Sequence, residues 1–188
     1  MKKKISVIVG GTRGIGSVIS TTLKKRGDKL LIFSRNAKKK LNNFKIDLLK
    51  KNEINQFFNN KFSKAKVDNL VFSHRYRGKN ANEDFQVSLH AVEQIIELMK
   101  NKMSKKASIV IINSIAIKTI VDDQPQRYHV IRGGLEQLTK YSATINNPYN
   151  CIYELEKAIY FAQEGRKGPV WIEVPLDVQS FQIKDKEN

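Results

Sequence analysis

Cysteine is almost absent from the chain, since Cys151 is the single one among 188 residues. One thiol excludes an internal disulfide framework and a metal site built from several cysteines. The histidines do not replace them, because His90 and His129 have no metal-ligand spacing with each other or with carboxylates. We therefore predict no metal site.

Long hydrophobic runs are also lacking. No segment approaches the roughly 18 consecutive apolar residues that a membrane-spanning helix needs. The basic start, MKKKISVIVGG, has an apolar stretch that is too short for a secretory signal peptide and ends in glycines. The sequence therefore predicts a soluble, cytoplasmic protein with no membrane partner.

Acidic residues are scarce: 18 Asp and Glu stand against 34 Lys and Arg, which gives a formal net charge of +16. Such a charge attracts polyanions, nucleic acid among them. The heavy use of Lys, Asn and Ile favours a simpler explanation, an AT-rich genome. No run of Lys and Arg is interleaved with aromatic residues as in known nucleic-acid modules. We predict no specific nucleic-acid partner.

Short apolar runs alternate with amphipathic segments along the chain. The runs predict strands over 5–9, 29–34, 44–47, 67–73, 107–114 and 170–174. Helical periodicity predicts helices over 16–27, 48–62, 83–103, 128–144 and 151–165. This alternation predicts a single α/β domain of the Rossmann type, a doubly wound parallel sheet in three α/β/α layers.

A glycine-rich segment, VIVGGTRGIGS, joins the first predicted strand to the first helix and contains Gly10, Gly14 and Gly16. Glycines at this junction permit a tight turn and a close approach of the backbone to a phosphate. The N-terminus of the helix then offers N–H groups and a partial positive charge to the anion. A glycine-rich turn with no ligand is the alternative.

The spacing G-x-x-x-G-x-G resembles that of the short-chain dehydrogenase/reductase family. The resemblance extends over about residues 3–145 and implies a nicotinamide cofactor in this loop, with Thr12, Arg13 and Ile15 beside the glycines. Ser34 and Arg35 follow the second strand in place of an acid, which in that family favours the 2′-phosphate of NADP.

One further position matches this family's cofactor site, and two lie in a segment that departs from the family pattern. The segment IDL implies a contact of Asp47 near the adenine. The family often has NNAG after its fourth strand, whereas this chain reads FSHRYRG, which places Ser73 and His74 near the cofactor. A charged loop with no role in binding is an equal alternative for the second of these segments.

The resemblance implies a catalytic set of Ser114, Tyr128 and Arg132. In the family a serine orients the carbonyl or hydroxyl of the substrate, and a tyrosine in a Y-x-x-x-K motif transfers the proton. A free phenol has a pKa of about 10, so a neighbouring cation is needed for proton transfer near neutral pH. Here arginine stands in place of the lysine. It keeps the positive charge, but its planar guanidinium reaches further than an ammonium and does not release a proton near neutral pH. Ser88 corresponds roughly to the family's water-ordering asparagine.

The segment 154–179, with GRKGPVWIEVPLDVQ, is similar to another family. It resembles the end of the pyrimidine-binding domain of thiamine-diphosphate enzymes of the acetolactate synthase type. We therefore interpret the chain as a truncated reductase over 1–146, a helix–strand segment over 147–180 that completes the sheet, and a frayed tail over 181–188. No sixth strand, cofactor loop or substrate lid of the reductase family is recognisable in the sequence.

These resemblances imply an NADP(H)-dependent oxidoreductase acting on a small carbonyl or alcohol substrate, with impaired activity where the motifs depart from the family. The alternative is a non-catalytic nucleotide-binding or scaffold protein, the remnant of a gene fusion. The family often forms homodimers through its long helices, here predicted over 84–103 and 128–144.

Overall fold

A computed structural model describes residues 3–37, 42–62, 66–114, 120–139, 141–164, 168–175, 178 and 181. The chain divides into two compact units, Met1–Val110 and Ile111–Asn188.

The first unit is an alternation of strands and helices. Its strands are β1 Ile5–Val9, β2 Lys29–Ser34, β3 Asn43–Lys45, β4 Val67–Phe72 and β5 Met103–Ile112, of which the last two residues belong to the second unit. Their order is β3-β2-β1-β4-β5. Its helices are α1 Gly14–Lys25, α2 Lys51–Lys61, α3 Ala81–Phe85 and α4 Ala91–Met99, with a π-helical turn over Gln86–His90 and a 3-10 turn over Lys100–Lys102.

The core of this unit forms where β1 lies between two parallel neighbours. Val7 pairs with Leu31 of β2 and with Leu70 of β4, and all three side chains are buried. A run that is apolar on both faces is what a central parallel strand requires. Five phenylalanines of β2, β3, α2 and the residue after α2 pack into one aromatic cluster: Phe33, Phe44, Phe57, Phe58 and Phe62.

The second unit contains α5 Gln126–Gln137, β6 Tyr141–Thr144, α6 Cys151–Gln163 and β7 Val170–Glu173, with a 3-10 turn over Pro148–Asn150 before α6. Strands β6 and β7 are parallel and pair from Tyr141↔Val170 to Thr144↔Glu173. Trp171 of β7 is buried, whereas Val174, directly after the strand, is half-buried.

Two predicted helices differ from the structure. The helix predicted over 128–144 ends at Gln137, because residues 141–144 form β6, and Thr139 Oγ1 donates a hydrogen bond of 2.6 Å to the carbonyl of Glu136 at the turn. Strand β6 was therefore not among the predicted strands. The helix predicted over 83–103 is divided into α3, the π-helical turn and α4, and its last residue already belongs to β5.

A seven-strand parallel sheet flanked by helices confirms the predicted fold class, a Rossmann-type α/β/α arrangement. The division at residue 146 stays a prediction, and residues 182–188 of the predicted tail lie outside the described residues. Within the described ranges, no helix combines the length and apolar character needed to cross a membrane.

Candidate functional site

The glycine loop is held between β2 and β4 by backbone hydrogen bonds. The Gly10 N–H donates to the carbonyl of Phe33 at 2.7 Å, and the Ser73 N–H donates to the carbonyl of Val9 at 2.8 Å. Gly10 has φ +93°, and a Cβ at this position would lie 2.6 Å from the backbone nitrogen of His74. Both the conformation and the space therefore require glycine at this position.

Gly16 closes the other side of the loop. A Cβ there would lie 2.3 Å from the carbonyl oxygen of Gly10 and 2.3 Å from Ser73 Oγ. The buried Ser20 Oγ lies 2.9 Å and 2.8 Å from the carbonyl oxygens of Gly11 and Gly16, within reach of donation to either. The loop is thus a compact cradle of main chain, as close approach to a phosphate requires.

Helix α1 begins directly after this cradle. Arg13 precedes the helix in extended conformation, and the first turn contains no acidic residue. The exposed Thr12 donates from Oγ1 to Ser34 Oγ at 3.1 Å, so the loop is tied to the end of β2. An exposed Ile15 and Arg13 flank the start of the helix. The partial positive charge of the helix N-terminus is therefore not offset by a local carboxylate.

Arg35 and Asp47 line one cavity of about 910 Å³ in the first unit. Three lysines contribute to the same wall: Lys45, Lys50 and Lys61. Asp47 Oδ1 accepts a hydrogen bond of 3.1 Å from the Leu49 N–H, which fixes the carboxylate in the turn before α2. The excess of cations over carboxylates makes the cavity suited to an anionic group.

Ser73 and His74 lie beside the glycine loop, immediately after β4. His74 Nε2 donates to the carbonyl of Val87 at 2.9 Å, and its ring meets Phe72 edge-on at 6.1 Å between centroids. His74 is therefore anchored to the π-helical turn. π-helical turns are rare, and they are frequent at functional sites.

Ser88 in this turn is buried and donates from Oγ to Asp84 Oδ1 at 2.9 Å. The hydroxyl proton is thereby directed to Asp84. A water at this serine would have to be held through the oxygen lone pairs, which is a weaker arrangement than the amide of an asparagine provides.

In the second unit, Tyr128 and Arg132 lie one turn apart on α5, and both are buried, with 9% and 4% of their surfaces exposed. The guanidinium carbon of Arg132 lies 4.6 Å from the centroid of the Tyr128 ring. The arginine thus stacks on the face of the phenol, which is a cation–π geometry.

Asn113 fixes this arginine from the end of β5. Arg132 Nη1 donates to Asn113 Oδ1 at 3.1 Å, and Asn113 Nδ2 donates to the Arg132 carbonyl at 2.9 Å. Asn113 was not among the residues predicted from the sequence. Its position directly before Ser114, at the end of a strand, could have marked it as a residue of the site. Ser114 itself is half-buried.

The structure therefore places the predicted residues other than Ser114 in three groups, each within one unit. The glycine loop lies with Ser34, Ser73 and His74; Arg35 lies with Asp47; Tyr128 lies with Arg132. Among the described residues, no group of three or more His, Cys, Asp or Glu side chains is placed to hold a metal ion.

Comparison with known proteins gives a likeness of fold. No protein-family profile and no curated protein matches the sequence. Among solved structures, a short-chain dehydrogenase/reductase from Brucella ovis, in complex with a partially ordered NAD, matches with TM-score 0.71 and 16% identity, over 92% of this chain and 100% of that chain. BdcA in complex with NADPH matches with TM-score 0.66 and 13% identity, over 91% and 93%.

A short-chain dehydrogenase family protein from Francisella tularensis matches with TM-score 0.65 and 18% identity, over 74% of this chain and 62% of that chain. At these identities the likeness establishes the fold. The resemblance of 154–179 to thiamine-diphosphate enzymes, with the fusion and truncation inferred from it, stays a prediction.

Proposed function

We propose that the chain is an NADP(H)-dependent oxidoreductase of the short-chain dehydrogenase/reductase type, acting on a small carbonyl or alcohol substrate. The observation that carries the proposal is the glycine cradle. Gly10 and Gly16 leave no room for a Cβ, and α1 begins beside them without an acidic residue in its first turn. A dinucleotide pyrophosphate fits such a cradle.

The assignment of cofactor contacts follows from charge and position. Gly10, Thr12, Arg13, Gly14, Ile15 and Gly16 would hold the pyrophosphate, and Ser34, Arg35, Asp47, Ser73 and His74 would hold the adenosine and ribose. The cations of the Arg35 cavity support NADP over NAD, because a 2′-phosphate adds negative charge where Arg35 and Lys45 lie. Structural neighbours in complex with NAD and with NADPH support a nicotinamide nucleotide of either kind.

The bound cofactor would supply or accept the hydride. Ser114 would hold the substrate oxygen by a hydrogen bond, and Tyr128 would donate the proton from its hydroxyl to that oxygen during reduction. Negative charge then develops on the phenol oxygen and is shared with the ring. Arg132, 4.6 Å from the ring centroid, stabilises that charge from the ring face.

NADPH oxidation over a panel of aldehydes and ketones tests this proposal. Tyr128→Phe removes the transferable proton and retains the ring, so we expect turnover to fall by about 100-fold or more. Tyr149→Phe, at an exposed tyrosine of the second unit, is the matched control and leaves the rate unchanged. Equal rates in wild type and Tyr128→Phe would contradict the proposal.

The alternative, a non-catalytic nucleotide-binding or scaffold protein, has one observation in its favour. The guanidinium of Arg132 donates a hydrogen bond to Asn113 and stacks on the ring of Tyr128. It is therefore not dedicated to the phenol hydroxyl, as a catalytic cation would be. Calorimetry separates the two functions. NADPH binding without turnover of any substrate would support the alternative. From the sequence we further propose that the protein is cytoplasmic and forms a homodimer.

A further inference from the structure

Helix α6 packs on its own unit through its smallest side chains. Ala158 and Ala162 are each 1% exposed and form a cluster with Val170 of β7. Tyr141 of β6 stacks on Phe161 with ring centroids 4.7 Å apart, which completes this inner contact.

The outer side of the same helix is apolar and exposed. Its large side chains follow helical spacing, with exposed fractions of 71% for Ile152, 60% for Tyr153, 43% for Leu155, 49% for Ile159 and 57% for Tyr160. An amphipathic surface helix directs its large apolar residues to the core and its polar residues to water. Here the alanines lie inside and the larger apolar residues outside, so this outer face, Ile152–Tyr160, has the composition of a buried surface.

The size of the outer face matches one side of a protein interface. Its five large side chains together expose roughly 500 Å², within the range of the largest apolar patch on a typical monomer, which is often functional. A standard interface buries about 800 Å² on each partner, of which a polar rim forms a part. Glu156 is exposed on the same helix, and the Lys157 ammonium lies 5.6 Å from the centroid of the Tyr153 ring, so a symmetric pair of helices can match the two charges reciprocally.

The distribution of charge favours the second unit as the place where two copies of this chain meet. Residues 1–110 contain 25 Lys and Arg against 8 Asp and Glu, whereas residues 111–188 contain 9 against 10. Two copies therefore repel each other through their first units. The second unit is the part of each chain where close approach meets little net charge.

The helices expected from the family resemblance lack a comparable surface. Among the described residues, no large hydrophobic side chain of α3, the π-helical turn or α4 is exposed, and α5 exposes only Val130. We infer that two copies of this chain associate through the outer face of α6, around a two-fold axis. This interface replaces the one predicted over 84–103 and 128–144, and it does not depend on the proposed enzymatic activity.

Sedimentation equilibrium of the full chain tests the inference. We expect the wild type to be dimeric at about 50 µM, and Ile159→Glu to raise the dimer dissociation constant by at least 100-fold, because the charge would be buried without a partner. Val130→Glu, at 61% exposure on α5, is the matched control and leaves the dimer intact. Circular dichroism melts confirm that both variants are folded.

Salt dependence supplies a second readout. Because the first units of two copies repel, raising the ionic strength should strengthen the dimer by several-fold. A monomeric wild type at about 50 µM would overturn the inference and would leave the face to another protein. A dimer that Val130→Glu dissociates and Ile159→Glu leaves intact would also overturn it.

Discussion

Gly10 and Gly27 share a backbone conformation and differ in their surroundings. Their φ angles are +93° and +94°, but only Gly10 has atoms against the position of a Cβ, the nearest at 2.6 Å. A residue with a Cβ would therefore be strained by the left-handed backbone at either position. Of the two positions, only Gly10 would also bring that Cβ against the backbone after β4.

This difference predicts distinct effects of alanine. Gly27→Ala should cost about 1–2 kcal/mol of unfolding free energy from backbone strain. Gly10→Ala should cost about 3 kcal/mol or more, since overpacking against backbone adds to the same strain. Urea denaturation measures both. Calorimetry should show that NADPH affinity is retained in Gly27→Ala and lost in Gly10→Ala; equal effects would contradict the role given to the cradle.

Arg132 is held by two interactions that lysine cannot reproduce together. Its planar fork bonds Asn113 while its face lies over the Tyr128 ring. An ammonium is compact, so it does not span both partners, but it can approach a ribose hydroxyl as in the lysine of the family motif.

Arg132→Lys should therefore lower the unfolding free energy by about 1–2 kcal/mol and raise kcat/KM for NADPH-dependent reduction. Asn113→Ala is the companion variant, because it frees the arginine fork without changing the charge. We expect it to destabilise the fold without the gain in kcat/KM. A fall in kcat/KM for Arg132→Lys would indicate that the stacked guanidinium is the better cation for this site.

At the scale of elements, the connection from α1 to β2 is fixed by one carboxylate. Asp28 accepts from Ser6 Oγ at 2.6 Å, from Arg26 Nη2 at 2.7 Å and from Arg26 Nε at 3.1 Å. Burial raises the pKa of Asp28, but the hydrogen bonds from Arg26 and Ser6 outweigh it and hold that pKa below its ordinary 3.8. The ionised form is therefore the one that stabilises the fold.

Because the folded pKa of Asp28 is depressed, its stabilisation is complete above the unfolded pKa near 3.8 and is lost as the pH falls through the folded value. Asp28→Asn should lower the free energy of unfolding by about 1–2 kcal/mol near neutral pH. The loss is no larger because solvent screens the half-exposed Arg26. The difference from wild type should shrink below about pH 4. Urea midpoints from pH 3 to pH 7 measure it, with Glu53→Gln, at a surface pair with Lys50, as the control that shows little change.

At the scale of the molecule, charge is segregated along the chain. Residues 1–110 have a formal net charge of +17 and residues 111–188 one of −1. Such a field binds polyanions through released counterions, without reading their sequence.

We therefore expect weak binding to short DNA duplexes that is equal for unrelated sequences. Its affinity should fall at least tenfold between roughly 50 and 200 mM salt. Fluorescence anisotropy with two scrambled duplexes measures it. Binding that persists at high salt and distinguishes the duplexes would contradict the prediction of no specific nucleic-acid partner.

The strands of the first unit were predictable because their signal is local. A largely β-branched run such as 5–9, interrupted by Ser6 alone, is stable as a central strand between two neighbours. The glycine loop was predictable for a related reason, since positive φ and missing Cβ space both require glycine at Gly10.

β6 was not predictable, because residues 141–144 continue the helical spacing of α5 and gain strand geometry only by pairing with β7, far along the chain. The position of Arg132 depended in the same way on Asn113, nineteen residues away. The amino-acid sequence by itself determined the alternating α/β pattern, the glycine loop and the separation of charge, since each follows from neighbouring residues. Only the tertiary structure decided where the guanidinium of Arg132 lies and which face of α6 is exposed, because both depend on contacts between residues distant in sequence.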